Sequence, residues 1–300
     1  MKKILIAGGS GFIGRALSDF LDEYGYDVVW LTRNKSIVAE KPHRNFYWNP
    51  TTAEIDMNAL NEVTTVINLA GTSISKRWTT SNKKDITNSR IDSVKTLQVA
   101  MTKLNSPNKP KVINASAIGV YESSKSLIHD EYSKNYNTSF LGEVVEKWED
   151  CILDFDKINV SYCILRIGIV MSKKGGALRE LLKPAKFGFM APLGEGKQWQ
   201  SWIALEDLLQ LIKTLIENPI TGVVNAVAPK PILQAEMTRL LSKKIGVLYL
   251  PFGVPAFLLK LLLGQMSAVI LESQHVQSVK IEPHQFKHQS FNSFLTAEFV

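Results

Sequence analysis

The chain has 300 residues, which suffice for roughly two domains of about 150 residues, or for one domain with an appendage. Apolar residues make up 45% of it and charged residues 21%, a balance that excludes wholesale disorder and a fibrous repeat. The net charge of +7 would suit nucleic acid, but the basic residues are dispersed and not interleaved with aromatic side chains, so we expect no nucleic-acid partner.

The first half of the chain alternates short apolar runs with amphipathic stretches, the pattern of a parallel sheet covered on both faces. Helical spacing of apolar residues predicts helices over 12–21, 86–104 and 139–155, the last with Ser139 as its N-cap. The predicted strands are 3–7, 27–32, 45–49, 65–70, 111–115 and 160–165. The sequence therefore predicts an α/β protein with a doubly wound parallel sheet, the Rossmann fold.

The alternation weakens beyond residue 170, and from about residue 231 the pattern is mainly helical. We divide the chain into a Rossmann domain, 1–230, and a smaller C-terminal domain on the substrate side, 231–300, packed tightly against it. The further predicted elements are a loop at 188–196, a helix at 207–217, a strand at 222–227, and short strands at 247–250 and 278–281.

Two features bear on where the protein resides. The most apolar stretch, 254–271, is interrupted by Lys260 and Gln265, so we expect one or two core helices there and no membrane partner. The chain has two cysteines, and its Met-Lys-Lys start leads directly into an apolar strand. Both observations favour a reducing, cytoplasmic setting.

A glycine-rich loop carries the strongest functional signal. Gly8, Gly11 and Gly14 form G-x-x-G-x-x-G between the first predicted strand and the first predicted helix. In that position glycines permit a tight turn, a close approach of the backbone to a pyrophosphate and close contact of helix and strand. The helix N-terminus adds free amides and a partial positive charge. The loop predicts a dinucleotide site, and we expect no metal.

The end of the second predicted strand distinguishes between the two nicotinamide dinucleotides. An NAD site usually has Asp or Glu there, which binds the ribose 2′-hydroxyl. This chain has Thr32 and Arg33 instead, with no carboxylate before Glu40. The Arg33 guanidinium can form charge-assisted hydrogen bonds to a 2′-phosphate, although a solvent-facing arginine is the simpler alternative. We therefore predict NADP as the cofactor.

Short motifs along nearly the whole chain accompany the glycine loop. They include Asn68-Leu69-Ala70-Gly71, Lys76-Arg77-Trp78-Thr79, Asn88-Ser89-Arg90, Ala115-Ser116-Ala117-Ile118-Gly119-Val120-Tyr121, Arg166-Ile167-Gly168 and Pro192-Leu193-Gly194-Glu195-Gly196. Together they resemble the extended short-chain dehydrogenase/reductase superfamily, and within it the epimerase-like, NADP-binding branch that ends in a small domain of unknown function. The chain departs from the branch at Ala204, where histidine is usual.

The resemblance implies positions for the cofactor. The residues implied at the pyrophosphate are Gly8, Gly11, Phe12, Ile13 and Gly14; those at the adenosine are Thr32, Arg33 and Asn49; and those along the nucleotide trough and beyond it are Leu69, Ala70, Gly71, Thr72 and Arg77. Ser116 matches the catalytic serine of the superfamily, which orients the substrate oxygen. A small polar residue at the end of a strand is the alternative interpretation of Ser116.

The tyrosine and lysine that complete the superfamily's catalytic set are missing. They are expected four residues apart on the helix predicted over 139–155, and no tyrosine lies there. Tyr121 and Lys125 have the right spacing, but they fall in the loop after the fifth strand, so we interpret the spacing as a coincidence. Tyr121 could still act as the acid if that loop folds inward. Glu143 and Lys147 are predicted to form an exposed ion pair. Lys197, Gln198, Trp199 and Trp202 could either close over a ligand or pack against the C-terminal helices.

Two functions are consistent with this pattern. The first is an NADP(H)-dependent oxidoreductase or epimerase-like enzyme that acts on a small carbonyl or alcohol. The alternative is a non-catalytic NADP(H)-binding protein that senses redox state or regulates a partner, which the missing tyrosine and lysine favour. Sugar-nucleotide epimerisation is less favoured, because the catalytic pair is absent and Arg33 suits a 2′-phosphate. The substrate and the oligomeric state do not follow from the sequence.

Overall fold

A computed structural model describes residues 2–41, 44–105 and 108–299 of the chain. The strands of the described residues are β1 (Lys3–Ala7), β2 (Asp27–Thr32), β3 (Asn45–Asn49), β4 (Glu54–Ile55), β5 (Val63–Asn68), β6 (Lys111–Ala117), β7 (Ile128–His129), β8 (Tyr162–Ile167), β9 (Ile169–Ser172), β10 (Phe189–Met190), β11 (Trp199–Gln200), β12 (Trp202–Ala204), β13 (Gly222–Ala226), β14 (Ile232–Leu233), β15 (Leu248–Tyr249) and β16 (His275–Val276). The helices are α1 (Phe12–Glu23), α2 (Lys35–Glu40), α3 (Thr80–Thr102), α4 (Phe140–Leu153), α5 (Gly176–Leu181), α6 (Leu205–Glu217), α7 (Gln234–Ile245), α8 (Ala256–Leu263), α9 (Ala268–Leu271) and α10 (Phe291–Glu298).

The central sheet has eight strands in the order β13-β8-β6-β5-β1-β2-β3-β4. All neighbouring strands are parallel except β3 and β4, which form an antiparallel pair at one edge. The strand order reverses direction at β1, because β2 lies on one side of it and β5 on the other. The prediction of a doubly wound parallel sheet is confirmed. In such sheets the carboxyl ends of the strands beside the reversal form a ligand crevice.

Successive side chains of the strands pack into two separate cores, one on each face of the sheet. In β1, Ile4 and Ile6 face a cluster that also contains Leu17 of α1 and Leu208 of α6. Leu5, between them in sequence, faces the opposite cluster, with α3 and α4. Because both faces of the strand are covered, the strand is apolar throughout, as expected for a central parallel strand.

A third core joins the two ends of the chain. Trp202, fully buried, lies with ring centroids 5.2 Å from Phe291 and 5.5 Å from Phe294, both in α10. Met171 and Met237 lie in the same cluster. This core therefore draws on residues from both sides of position 230. The division of the chain at that position stays a prediction.

Three expectations about the elements need correction. The fourth predicted strand, 65–70, is β5 and ends at Asn68. The predicted strand at 278–281 is absent from the described residues, and the strand in this region is β16, which pairs with β7. Segment 254–271 forms α8 and α9, but α8 buries only Leu259, so it is not a core helix.

Within the described residues no helix is both long and apolar enough to cross a membrane.

Candidate functional site

The glycine loop lies where β1 leads into α1, at the carboxyl edge of the sheet beside the reversal of strand order. Gly8 has φ +85°, in the left-handed region that favours glycine. A Cβ at Gly14 would lie 2.3 Å from the Gly8 carbonyl oxygen, and one at Gly9 would lie 2.5 Å from the Trp30 ring. Only glycine fits at these points, so the loop is pressed closely against the start of the helix.

The N-terminus of α1 is open to a ligand. Gly11 is its N-cap and offers no side-chain hydrogen bond, and the first turn of the helix holds no acidic residue. The amides of that turn therefore keep their partial positive charge. Phe12, the first residue of the helix, packs against the loop before α5. Its ring is so close to Gly175 that a Cβ on that residue would lie 2.7 Å from the ring.

The loop after β5 forms the opposite wall of the crevice. A Cβ at Gly8 would lie 2.9 Å from the carbonyl carbon of Leu69, so the two loops are in direct contact. The Ala70 amide donates to Asn68 Oδ1 (3.2 Å), and the Thr72 amide donates to Ser89 Oγ of α3 (2.9 Å). These hydrogen bonds hold the loop in place against the glycine loop.

Arg90 of α3 supports the same loop from behind, a role that sequence reasoning missed. Its Nη1 donates to the carbonyl oxygens of Thr72 (3.1 Å) and Ile86 (2.9 Å), and its guanidinium lies 5.2 Å from the centre of the Trp148 ring. Burial lowers the pKa of Arg90 to about 10. The side chain lies directly against Gly71.

The residues predicted at the adenosine lie at the ends of β2 and β3. Thr32 is buried, and its Oγ1 accepts a hydrogen bond from the Asn34 amide (3.1 Å). Arg33 is exposed and forms no hydrogen bond or ion pair with any residue that the structure describes. Asn49 is half-buried at the end of β3. The Arg33 guanidinium is therefore free to bind an anion.

Beyond the crevice, a buried polar network connects β6, β8 and α4. Arg166 donates from Nε to Glu149 Oε1 (2.9 Å) and from Nη2 to Glu149 Oε2 (2.6 Å), with both side chains almost completely buried. Ser116 Oγ donates to the same carboxylate. Arg166 Nη1 also donates to the Tyr121 hydroxyl (2.9 Å), which in turn donates to Asn225 Oδ1 (2.8 Å).

Comparison with known proteins adds to this geometry. The model of the NAD dependent epimerase/dehydratase family matches residues 4–227, and that of a domain of unknown function, DUF1731, matches residues 254–297. The chain is 35% identical over 303 residues to a chloroplastic epimerase family protein, the SDR39U1 homologue of Arabidopsis thaliana, covering 98% of this chain and 86% of the relative. The chain belongs to the NAD dependent epimerase/dehydratase family.

Two further relatives span almost the whole of both chains. An epimerase family protein of Staphylococcus aureus is 33% identical over 299 residues, covering 98% of each chain. The crystal structure of the human epimerase family protein SDR39U1 (isoform 2) with NADPH has a TM-score of 0.83 and 25% identity, and covers 99% of this chain and 98% of the human one. The resemblance predicted from the motifs is confirmed.

The positions of α4 at which the superfamily's tyrosine and lysine are expected do not carry them. α4 contains no tyrosine, and its Val144 and Val145 are buried. The Phe140 ring lies 5.1 Å from that of Trp78, edge to face. Glu143 and Lys147 are 4.0 Å apart with both side chains exposed, as expected for a solvated pair. The positions of α4 that correspond to the expected pair therefore offer no group that could donate a proton.

Tyr121 does not replace the missing tyrosine. It is fully buried, and burial raises the pKa of its phenol to about 12. Lys125, four residues on, is exposed and pairs instead with Glu195 (Nζ to Oε2, 2.9 Å). The two side chains therefore do not form a tyrosine–lysine pair in this structure.

Ser116 lies within the buried network, where its hydroxyl is held by Glu149. Its catalytic role stays a prediction. Sequence reasoning missed the network itself, although one signal was available. Glu149 shares a helix face with Val145 and Ile152, and an acidic residue among buried apolar ones needs a buried partner.

The tryptophans considered for a lid pack against the C-terminal region. Trp202 is buried against α10, and its Nε1 donates to the Lys230 carbonyl (3.1 Å). The Trp199 ring lies 4.4 Å from that of His275. The Gln198 amide donates to the Leu193 and Ile270 carbonyl oxygens. Of the two interpretations, the structure favours packing.

Arg77 is exposed on the loop after β5.

Proposed function

We propose that the protein is an NADP(H)-dependent oxidoreductase or epimerase-like enzyme that acts on a small carbonyl or alcohol. The observation that carries the proposal is Arg33, an exposed guanidinium at the end of β2 without a partner among the described residues, in a place where no carboxylate is present. A carboxylate at this place would bind the 2′-hydroxyl of NAD and repel a 2′-phosphate. The crystal structure of the human relative, which holds NADPH, supports the same choice.

The residues of the crevice fit a dinucleotide. Gly8, Gly11 and Gly14 leave room for a pyrophosphate against the uncapped amides at the start of α1, with Phe12 and Ile13 beside it. At the adenosine end, Thr32 and Arg33 would hold the ribose phosphate and Asn49 would lie near the adenine. The trough would be lined by Leu69, Ala70 and Gly71, with Thr72 and Arg77 beyond it.

The chemistry that the cofactor supplies when bound is hydride transfer at C4 of its nicotinamide. Reduction of a carbonyl also requires a proton at the substrate oxygen, and neither Glu149, which is paired with Arg166, nor the fully buried Tyr121 is placed to provide one. We propose that this proton comes from water, and that the exposed Arg77 guanidinium stabilises the negative charge on that oxygen.

A second candidate function is a non-catalytic NADP(H)-binding sensor or regulatory protein. The observation that favours it is the buried network, which engages the hydroxyls of both Ser116 and Tyr121 in hydrogen bonds within the protein. In this arrangement neither hydroxyl is free to act on a substrate. Cofactor binding would then change the conformation or the partners of the protein without chemistry.

A fluorescence titration with NADPH and with NADH tests cofactor choice. We expect NADPH to bind at least tenfold more tightly, because charge-assisted hydrogen bonds contribute about 1.5–3 kcal/mol. Arg33→Ala should remove most of this preference and leave NADH affinity unchanged. Arg239→Ala, on the exposed side of α7, is the matched control. Equal affinity of the wild-type protein for both dinucleotides would refute the assignment of Arg33.

A second measurement separates the enzyme from the sensor. An enzyme consumes NADPH in the presence of some member of a panel of aldehydes and ketones, whereas a sensor binds NADPH and NADP⁺ and consumes neither. Where turnover is found, Ser116→Ala decides the role of Ser116. A large loss of kcat with little change in melting temperature would place its hydroxyl at the substrate, and the reverse would assign it to the network.

A further inference from the structure

A tight hairpin at the end of β9 lies against the start of α1. Ser172 forms an antiparallel bridge with Gly175, and Lys173 and Lys174 between them are the tip of the hairpin. We call residues 172–175 the lysine hairpin. Gly175 is buried, and its backbone is pressed against the Phe12 ring so closely that no side chain would fit between them.

The residue after the hairpin makes the same contact. Gly176 has φ +69°, in the left-handed region that favours glycine. A Cβ there would lie 2.8 Å from the Val170 carbonyl oxygen and 3.1 Å from the Phe12 ring. Two consecutive glycines therefore bring the backbone onto the first residue of α1. The lysine hairpin thus stands beside the uncapped amides of that helix, where the pyrophosphate of a dinucleotide fits.

A carboxylate from the last helix of the chain holds the lysine hairpin in place. Glu298, the last residue of α10, accepts hydrogen bonds at Oε1 from the Lys173 amide (2.5 Å) and from Ser172 Oγ (3.3 Å). Ser172 Oγ in turn accepts a hydrogen bond from the Lys174 amide (3.2 Å). The backbone amides of both tip residues are therefore fixed, directly or through one hydroxyl, by a residue of the C-terminal region.

The two lysines of the tip differ in their surroundings. Lys173 Nζ lies 4.4 Å from the centre of the Phe299 ring, so this side chain is directed towards the end of the chain. The Lys174 side chain is exposed and forms no hydrogen bond or ion pair with any residue in the described part of the chain. Its Cα is only about 3.8 Å from that of Gly175, and its flexible four-carbon stem can extend past the Phe12 ring. The Lys174 ammonium is therefore available to an anion at the start of α1.

We propose that the lysine hairpin is an outer wall of the dinucleotide site, in which Lys174 binds the pyrophosphate and Glu298 positions the hairpin. The inference rests on the proposed function, because the anion it requires is the pyrophosphate of the cofactor. A lysine ammonium is a compact charge that forms charge-assisted hydrogen bonds with phosphate oxygens. The first turn of α1 holds no acidic residue that would compete for it. The C-terminal region thereby takes part in cofactor binding through a single carboxylate.

Fluorescence titration of the full chain with NADPH and with NADH tests the role of Lys174. We expect Lys174→Gln to weaken the binding of both dinucleotides by about tenfold, because both carry the same pyrophosphate. Lys173→Gln is the matched control, since it removes the same charge one residue away and should leave both affinities nearly unchanged. The equal effect on the two dinucleotides distinguishes Lys174 from Arg33, whose removal should weaken NADPH alone.

A double-mutant cycle tests whether Glu298 acts through the hairpin. Glu298→Ala should also weaken both dinucleotides by about tenfold, and Glu298→Gln, which keeps an acceptor oxygen, should recover most of the affinity. Glu282→Ala, at an exposed carboxylate of the same region, should have no effect. If Glu298 positions Lys174, the double variant Lys174→Gln with Glu298→Ala should bind no more weakly than either single variant. A purely structural role would lower the melting temperature and leave the affinity of the folded protein unchanged, which would contradict the positioning role.

The outcomes separate this inference from the proposed function. Unchanged affinity in Lys174→Gln, with the wild-type preference for NADPH intact, would overturn the assignment of the lysine hairpin and leave that of Arg33 standing. A loss confined to NADPH would place Lys174 at the 2′-phosphate and would overturn its assignment to the pyrophosphate. A wild-type protein that binds neither dinucleotide would show that both the proposed function and this inference are wrong.

Discussion

Arg166 keeps its positive charge in a place almost without water because Glu149 accepts hydrogen bonds from two of its nitrogens. Removal of one partner of such a pair leaves the other buried and unpaired, which typically costs about 3–5 kcal/mol. We therefore expect Glu149→Gln to lower the free energy of unfolding by several kcal/mol in urea titrations. Glu143→Gln, on the exposed side of the same helix, should change it by less than about 0.5 kcal/mol. Equal effects would show that the buried pair contributes little to stability.

Tyr121 and Cys163 make stability depend on alkaline pH. Burial raises the pKa of the Tyr121 phenol from 10.0 to about 12, and that of the Cys163 thiol from 9.0 to about 12. Between the unfolded and folded pKa values the unfolded chain holds fewer protons than the native protein, so the free energy of unfolding falls as pH rises. The stability contributed by the two groups is complete below about pH 9.

We expect the free energy of unfolding to fall by about 4 kcal/mol between about pH 9 and pH 11 because of Tyr121 and Cys163. Each group lowers it by about 1.4 kcal/mol per pH unit above its unfolded pKa, which is 9.0 for Cys163 and 10.0 for Tyr121. Urea unfolding at a series of pH values measures the decline. The double variant Tyr121→Phe with Cys163→Ala should show a shallower decline over the same range. An identical slope in the wild-type protein and the double variant would contradict the prediction.

The strand–loop–helix element β1–α1 depends on glycines that have no substitute. A Cβ at Gly14 would overlap the Gly8 carbonyl oxygen and approach the Gly9 Cα to 2.8 Å, so Gly14→Ala must push the loop away from the helix. We expect this change to abolish NADPH binding in a fluorescence titration. Gly119→Ala is the control, because the nearest atom to its Cβ would be 4.0 Å away. Retention of full affinity in Gly14→Ala would show that the loop does not form the site.

Sequence patterns predict helices and strands well where the apolar residues keep one regular spacing along the whole element. The apolar runs of β1 and β2 and the glycines before α1 are local signals, and the structure has each of these elements in its predicted place. The buried network could not be predicted in the same way, because Glu149 and Arg166 meet only when β8 and α4 pack together. An apolar run also does not show whether other parts of the chain pack over it. For this reason the sequence predicts a core helix where the structure has the exposed α8.

At the scale of the whole molecule, the core around Trp202 joins the C-terminal region to the rest of the chain, and α10 contributes Phe294 to it. Because this core combines residues from both sides of position 230, we expect the C-terminal region to unfold together with the sheet. Phe294→Ala removes a buried ring and should cost about 3–5 kcal/mol. The loss should appear as a lower midpoint of one transition, with tryptophan fluorescence and far-ultraviolet circular dichroism coinciding.

The same substitution at an exposed ring is the control for this prediction. Phe257→Ala, on α8, removes a side chain that is mostly in water and should leave the midpoint nearly unchanged. If Phe294→Ala instead produced two separated transitions, with the sheet unfolding at its wild-type midpoint, residues 231–300 would be an independent unit. Coincident transitions would mean that NADPH, if it binds the native state alone, raises the unfolding midpoint of the C-terminal region together with that of the sheet.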